Sequence, residues 1–294
     1  MKTKNMLALA ALVTLGLSAC SNEEDVQFRD MQDTPITYTA AINELTSRTG
    51  IALNEGSFGL FLTTEGTEDS KYTANNMEVS YAYGSWKPAS QLLWKDNNSS
   101  VSYYAYRPYQ TTGTDATKFP VTVQTTQTAE TMEADDFCYA EKCITTATSN
   151  EGSINVEFNH LLAKLNVVLT AASELPEETT FNTVTIENSI MSATCNLNDG
   201  QLTKSATKQS LVLKKEENGT NFEGILIPQS FTNLTVTISA SNGKKYQFKS
   251  QETLDLKSGK EYRLNLIVGR DKVTMGEITA QSWQSENGGS LVVG

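Results

Sequence analysis

Short apolar runs that alternate with polar residues, each closed by turn-forming residues, recur along most of this sequence, and few folds accept that spacing. The run Pro35-Ile-Thr-Tyr-Thr-Ala-Ala-Ile-Asn43 sets the pattern. Ile36, Tyr38, Ala40 and Ile42 share one face while Thr37, Thr39 and Asn43 fall on the other, the period of a half-buried strand. Runs of the same style follow at 57–62, 77–83, 101–106, 119–123, 135–140 and 153–158, then at 165–169, 181–187, 193–197, 222–227, 234–240, 245–248, 262–268 and 272–279. Asn242-Gly243 between two of these runs predicts a tight hairpin. No apolar pattern of helical period and useful length appears, so the predicted class is all-β, with antiparallel strands in a sandwich or barrel.

The chain starts Met1-Lys-Thr-Lys-Asn, continues as an apolar run over 6–17 and reaches Leu17-Ser-Ala-Cys20. A basic start, a short apolar core and small residues before the cut predict a secretory signal over 1–20, too short for a membrane-spanning helix. A cysteine directly after Leu-Ser-Ala resembles the bacterial lipoprotein signal, which implies a lipidated Cys20. Residues 21–34 are polar and acidic without periodicity and are predicted to be a flexible tether.

The formal net charge is −11, and it becomes −13 once the two leader lysines are removed from the 23 basic residues that face 34 acidic ones. So acidic a chain lacks the basic footprint that nucleic acid or anionic lipid requires. Cys138, Cys143 and Cys195 remain after Cys20. Their odd number leaves at least one unpaired; a Cys138–Cys143 bridge and three small buried apolar side chains are both open readings. The Cys-x4-Cys spacing lacks the partners of a zinc site, no Asp-x-Asp-x-Asp-Gly calcium loop is present, and no metal or cofactor is expected.

The sole histidine, His160, sits in Glu-Phe-Asn-His-Leu-Leu-Ala-Lys-Leu-Asn-Val-Val-Leu-Thr over 157–170. With Leu161, Leu162 and Ala163 beside it, it is expected to be a hydrogen-bonded packing residue at the hinge between two β domains, one over 35–158 and one over 159–283. No catalytic residue is assigned, since a Ser-His-Asp or Cys-His arrangement would have to use this one side chain. Trp86, Trp94, Tyr103, Tyr104, Tyr106 and Tyr109 lie close together in sequence. Flat aromatics stack on sugars, but alternation with Val101 and Ala105 puts at least one face in the core.

Several stretches together resemble the fimbrillin family of Bacteroides-type bacteria. They are Trp86-Lys-Pro88 with Leu93-Trp94-Lys-Asp and Val101-Ser-Tyr-Tyr-Ala-Tyr-Arg-Pro108; Asp136-Phe-Cys-Tyr-Ala140; Phe158-Asn-His-Leu-Leu-Ala-Lys-Leu165; and Leu256-Lys-Ser-Gly259-Lys-Glu-Tyr262 through Ile278-Thr-Ala-Gln-Ser-Trp283. The resemblance implies two transthyretin-like antiparallel β-sandwich domains in tandem. It also implies a structural or adhesive fimbrial subunit, exported as a lipoprotein to the cell outer membrane and assembled by donated strands. On that reading a protease cuts between Arg48 and Thr49, the strand carrying Ile36, Tyr38, Ala40 and Ile42 leaves, and a C-terminal arm over 284–294, anchored by Leu291, Val292 and Val293, fills a neighbour's groove. The partners implied are other fimbrial subunits, the outer membrane through the lipid, and a host glycan or protein ligand; no cofactor is implied. The arm is short for a whole groove, which keeps open a non-polymerising surface lipoprotein, either an anchor subunit or a glycan-binding module.

Overall fold

The computed structural model describes residues 29–43, 51–149, 151–217 and 219–283. The alternation at 36–42 becomes strand β1 (Thr37–Ile42), with Ile36, Tyr38, Ala40 and Ile42 all buried. The first half continues with β2 (Ile51–Ala52), β3 (Ser57–Thr64), β4 (Ala74–Ala82), β5 (Ser85–Pro88), β6 (Val101–Arg107), β7 (Phe119–Thr122), helix α1 (Ala129–Asp135), β8 (Cys138–Thr145) and β9 (Ser153–His160). Then come β10 (Ala163–Ala171), β11 (Phe181–Ile190), β12 (Ser192–Asn196), β13 (Gln201–Lys204), β14 (Lys208–Val212), β15 (Lys214–Lys215) and β16 (Asn221–Leu226). The last strands are β17 (Ser230–Phe231), β18 (Thr235–Ala240), β19 (Lys245–Lys249), β20 (Leu254–Asp255), β21 (Lys260–Val268) and β22 (Val273–Ser282). The described chain is nearly all β, as its alternation requires.

Two local expectations are corrected. Residues 135–140 are not one strand: α1 ends at Asp135 and β8 starts at Cys138. Thr128 caps α1 by accepting from the Thr131 backbone N–H at 3.2 Å, and Thr131 Oγ1 accepts from the Thr128 N–H at 2.7 Å. This capping box stabilises a helix too short to show an apolar period. Tyr83, expected to end a strand, instead shares a two-residue hairpin turn with Gly84, both at positive φ, the geometry of a type I′ turn. The Asn242-Gly243 hairpin between β18 and β19 forms as expected.

The strands do not pair only antiparallel. β1 runs parallel to β9 through six register pairs, from Thr37↔Ser153 to Ile42↔Phe158. β10 runs parallel to β21 from Lys164↔Glu261 to Ala171↔Val268. Parallel neighbours need a long connection, and here the strands between them serve as that crossover. The remaining named strand pairs are antiparallel, in sheets ordered β2-β1-β9-β8-β6-β3-β4-β5, β15-β16-β10-β21-β22, β14-β11-β18-β19, β13-β12-β7 and β17-β20.

Two apolar clusters result. One gathers the β1 side chains with Phe58, Leu60, Val79, Trp94 and Phe158. The other lies between the five- and four-stranded sheets, around Leu165, Val167, Phe222, Val236, Ile238 and Leu264. β3 and β6 are covered on both faces: Leu60 and Ala105 point to the first cluster, Phe61 and Tyr106 to the second. That double burial explains why Phe58-Gly-Leu-Phe-Leu62 reads as an almost continuous apolar run. Gly59 is required there, because a Cβ at that position would lie 2.2 Å from the Tyr106 ring. The second cluster also takes Phe119 and Phe137, and Tyr106 stacks on Phe137 at 5.7 Å. Gln127, which is buried, grips β16 by donating to the Ile225 carbonyl at 2.8 Å and accepting from its N–H at 2.7 Å.

One charged network is embedded beside β10. Glu223 pairs with Lys164 at 3.0 Å and Lys214 at 2.8 Å. Burial alone would push the Glu223 carboxyl up, but it is outweighed by Glu216, whose own carboxyl is pushed up and takes the proton the two would share, by hydrogen bonds from Lys214 and Lys164 and by the charge of Lys164, and the group is held at about 2. A depressed carboxyl stabilises the fold above its unfolded value of 4.5, and the contribution is lost as pH falls through the folded value. Glu223→Gln should therefore destabilise the protein by about 2–4 kcal/mol at neutral pH, since it removes the buried anion that Lys164 and Lys214 share and leaves Lys214 with Glu216 at 2.7 Å. Urea unfolding should show the gap to wild type closing as the pH approaches about 2; an unchanged gap would contradict this assignment.

Candidate functional site

β1 is held unevenly by its two neighbours. On one side it meets β9 over its whole length; on the other the named strand pairing is with β2 alone, through Ala41↔Ala52 and Ile42↔Ile51, extended by the Leu53 N–H donating to the Ala40 carbonyl at 2.9 Å. Its ends are tied by the Ile36 N–H to the Leu92 carbonyl at 2.9 Å and the Asn43 N–H to the Phe158 carbonyl at 2.7 Å. β10, by contrast, is paired on both sides along most of its length, by β16 and by β21. The four inward side chains of β1 fill a trough walled by Phe58, Trp86, Leu92 and Phe158. One atom in the trough is poorly placed: the Tyr38 hydroxyl is buried and finds no hydrogen-bond partner among the described residues. Burial pushes its phenol well above the ordinary range.

The other residues singled out in the sequence, Cys20, Arg48, Thr49, Leu291, Val292 and Val293, lie outside the described residues. The segment 44–50, which contains Arg48, separates β1 from β2 in the chain.

The hinge at 157–170 is two strands joined by two buried leucines. β9 ends at His160 and β10 begins at Ala163, with Leu161 and Leu162 between them. The Leu161 N–H donates to the Phe137 carbonyl at 3.0 Å, Ser258 Oγ donates to the Leu161 carbonyl at 2.7 Å, and the Gly259 N–H donates to the Leu162 carbonyl at 2.9 Å. His160 lies opposite Cys138 in the β8–β9 register. Its Nδ1 is 2.8 Å from Asp136 Oδ1 and 3.4 Å from Cys138 Sγ. Because a carboxylate only accepts, the imidazole N–H donates to Asp136. The Trp283 indole lies parallel to the imidazole at 4.2 Å. His160 also lines a cleft of about 400 Å3 with Tyr139, Glu141, Asp199 and Trp283.

The sequence reading placed His160 as a packed, hydrogen-bonded residue but did not bring Asp136 and Cys138 to it. A hint lay in Asp136-Phe-Cys138, where alternate residues of an extended segment point the same way. Cys138 and Cys195 are buried, Cys143 is exposed, and all three thiols are free, so neither the Cys138–Cys143 bridge nor the reading of three buried cysteines holds. Burial and the nearby Asp136 charge push the Cys138 thiol up, with Arg107 opposing. Of the aromatic group, Trp86, Trp94, Tyr103 and Tyr106 are buried core residues, which removes them as a sugar-stacking surface.

The fimbrillin-like family model matches residues 46–283. The fold is similar to that of a Bacteroides uniformis protein provisionally assigned to cell adhesion, with 20% identity and a TM-score of 0.66 over 85% of this chain and 98% of that one. It is also similar to a fimbrial protein of Bacteroides vulgatus, with 14% identity and a TM-score of 0.53 over 85% and 100% of the two chains. The tip fimbrial protein Mfa3 of Porphyromonas gingivalis, truncated at its C-terminus, aligns with 9% identity and a TM-score of 0.51 over 85% and 100%. At these identities the likeness is one of fold, and no curated protein matches the sequence. The family model, which spans most of the chain including the hinge and the strands on either side of it, is what assigns membership: this chain belongs to the fimbrillin-like family.

Proposed function

We propose that this protein is a structural or adhesive subunit of a cell-surface fimbria. It is exported as a lipoprotein acylated at Cys20, cut between Arg48 and Thr49, and joined to other subunits by strand exchange. In this reading a tether over 21–34 precedes two sandwiches, 35–158 and 159–283, of the transthyretin type. The observation that carries it is the placement of β1, which is fully inserted by its side chains yet paired along its whole length on one side only.

A cut after Arg48 severs β1 from β2 and leaves β1 attached by non-covalent contacts alone. Three large inward side chains contribute about 2 kcal/mol each, and the ladder bonds about 1 kcal/mol each. The gross hold is therefore on the order of 10 kcal/mol before the entropy of ordering is set against it. Loss of β1 would expose the backbone edge of β9 and an apolar trough, a template for a replacement strand. An incoming strand would supply main-chain bonds to β9 and alternate side chains to the trough. The segment 284–294, with Leu291, Val292 and Val293, is the proposed donor toward a neighbour.

The orphaned Tyr38 hydroxyl weakens the resident strand, because a buried unpaired hydroxyl costs about 1–3 kcal/mol. Tyr38→Phe should raise stability in urea by about 1–2 kcal/mol, and a loss of stability would contradict this reading. The function itself is tested on protein sheared from the surface of producing cells, by its N-terminus and intact mass. A chain that starts at Thr49 and carries no lipid is the expected result. A chain that still starts at acylated Cys20 would overturn polymerisation by strand release and leave an anchor subunit or a standalone lipoprotein.

A further inference from the structure

The triad at the hinge is arranged more like a coordination sphere than like a simple hydrogen-bonded pair. Asp136 Oδ1, Cys138 Sγ and His160 Nδ1 face one another, with separations of 2.8 Å for oxygen to nitrogen, 3.4 Å for sulfur to nitrogen and 3.7 Å for sulfur to oxygen. A tetrahedral zinc with bonds of about 2.3 Å to sulfur and about 2.0–2.1 Å to nitrogen and oxygen sets its ligand atoms about 3.6 Å apart for the sulfur pairs and about 3.4 Å for the nitrogen–oxygen pair. Both sulfur distances already meet that requirement. Only the nitrogen–oxygen edge has to open, by about half an ångström, and that edge is the one now closed by a shared proton.

We propose that Asp136, Cys138 and His160 bind a divalent transition metal of the zinc class, which pins the strands meeting at the hinge. The ligands come from three backbone positions brought together by the fold: the residue that caps the C-terminus of α1, the first residue of β8 and the last of β9. Thiolate, carboxylate and neutral imidazole together balance the double charge of the ion, so the filled site carries no net charge into its buried surroundings. Binding breaks the Cys138 S–H bond and releases that proton to solvent. The His160 proton moves by way of solvent from Nδ1 to Nε2, so the imidazole stays neutral and ligates through the freed Nδ1. No electron is transferred.

Arg107 faces Cys138 across the β6–β8 pair, and its charge favours the thiolate that the metal needs. Asp136 is partly exposed, with 24% of its side chain open to solvent against 2% for His160. The ion therefore enters from the Asp136 side, and a water completes the fourth position. Trp283, stacked on the imidazole, fixes the ring plane, as outer groups do at metal sites.

Cobalt(II) is the probe, titrated into the purified, reduced, metal-free protein. The expected result is one equivalent bound with a thiolate-to-cobalt charge-transfer band in the near ultraviolet, displaced by zinc(II). Cys143→Ser should keep that band and Cys138→Ser should lose it. Zinc should raise the midpoint of thermal unfolding in the wild type and not in Cys138→Ser. If Cys138→Ser fails to fold, Asp136→Asn, at the partly exposed ligand, should weaken cobalt binding at least tenfold. Absence of the band, its survival in Cys138→Ser, its loss in Cys143→Ser, or unchanged affinity in a folded Asp136→Asn would each overturn the proposal.

Discussion

The parallel pairing of an opening strand with a closing strand is the constraint on which the rest of the described structure depends. It occurs twice, as β1 beside β9 and as β10 beside β21. Parallel neighbours must be joined by a long crossover, so each pairing commits every strand between them to wrap around the apolar interior. The two instances differ in how well the opening strand is secured. β10 is flanked on both sides along most of its length, whereas β1 has one full-length neighbour and a two-residue strand opposite. The same device thus secures the opening strand on both sides in one half and mainly on one side in the other, which is the difference the proposed strand exchange draws on.

The hinge shows how the halves are joined. Leu161 and Leu162 are buried between β9 and β10, and their backbone groups are tied to Phe137 on one side and to Ser258 and Gly259 on the other. Around them the division of labour is not clean. Phe119, Phe137 and Tyr106 come from the first half of the chain but pack with the second cluster, and β7 pairs with β12. β3 and β6 are covered on both faces, and the coupling of the halves is a consequence of that coverage. The buried charges beside β10 add a pH-sensitive contribution without supplying the main driving force, which is apolar burial.

Period-2 alternation was sufficient to find most strands, including β1 with its four inward residues, because one face buried and one face open is what alternation encodes. It located β3 but did not show that both its faces are covered, and it missed α1, which at seven residues is only about two turns long. Direction of pairing was also invisible, since parallel and antiparallel neighbours can present the same alternation at a sandwich face. His160 was recognisable as a packed residue of the hinge from its leucine neighbours. Its partners were not, because Asp136 and Cys138 reach it only through the β8–β9 register. In the aromatic cluster, alternation with Val101 and Ala105 already put one face in the core, and Trp86, Trp94, Tyr103 and Tyr106 are interior residues, as tyrosine and tryptophan often are in sandwiches.

The central claim is that β1 is a replaceable strand whose departure opens an acceptor edge on β9. The most direct measurement is exchange after cleavage behind Arg48: a labelled peptide with the sequence of residues 35–43 is added to the cleaved, folded protein, and amide hydrogen exchange is followed along β9. The account predicts saturable one-to-one incorporation of the peptide in place of β1, with the β9 amides protected only while a strand occupies the groove. Cleaved protein that refuses the peptide while staying folded, or β9 amides that remain protected after β1 has gone, would contradict it.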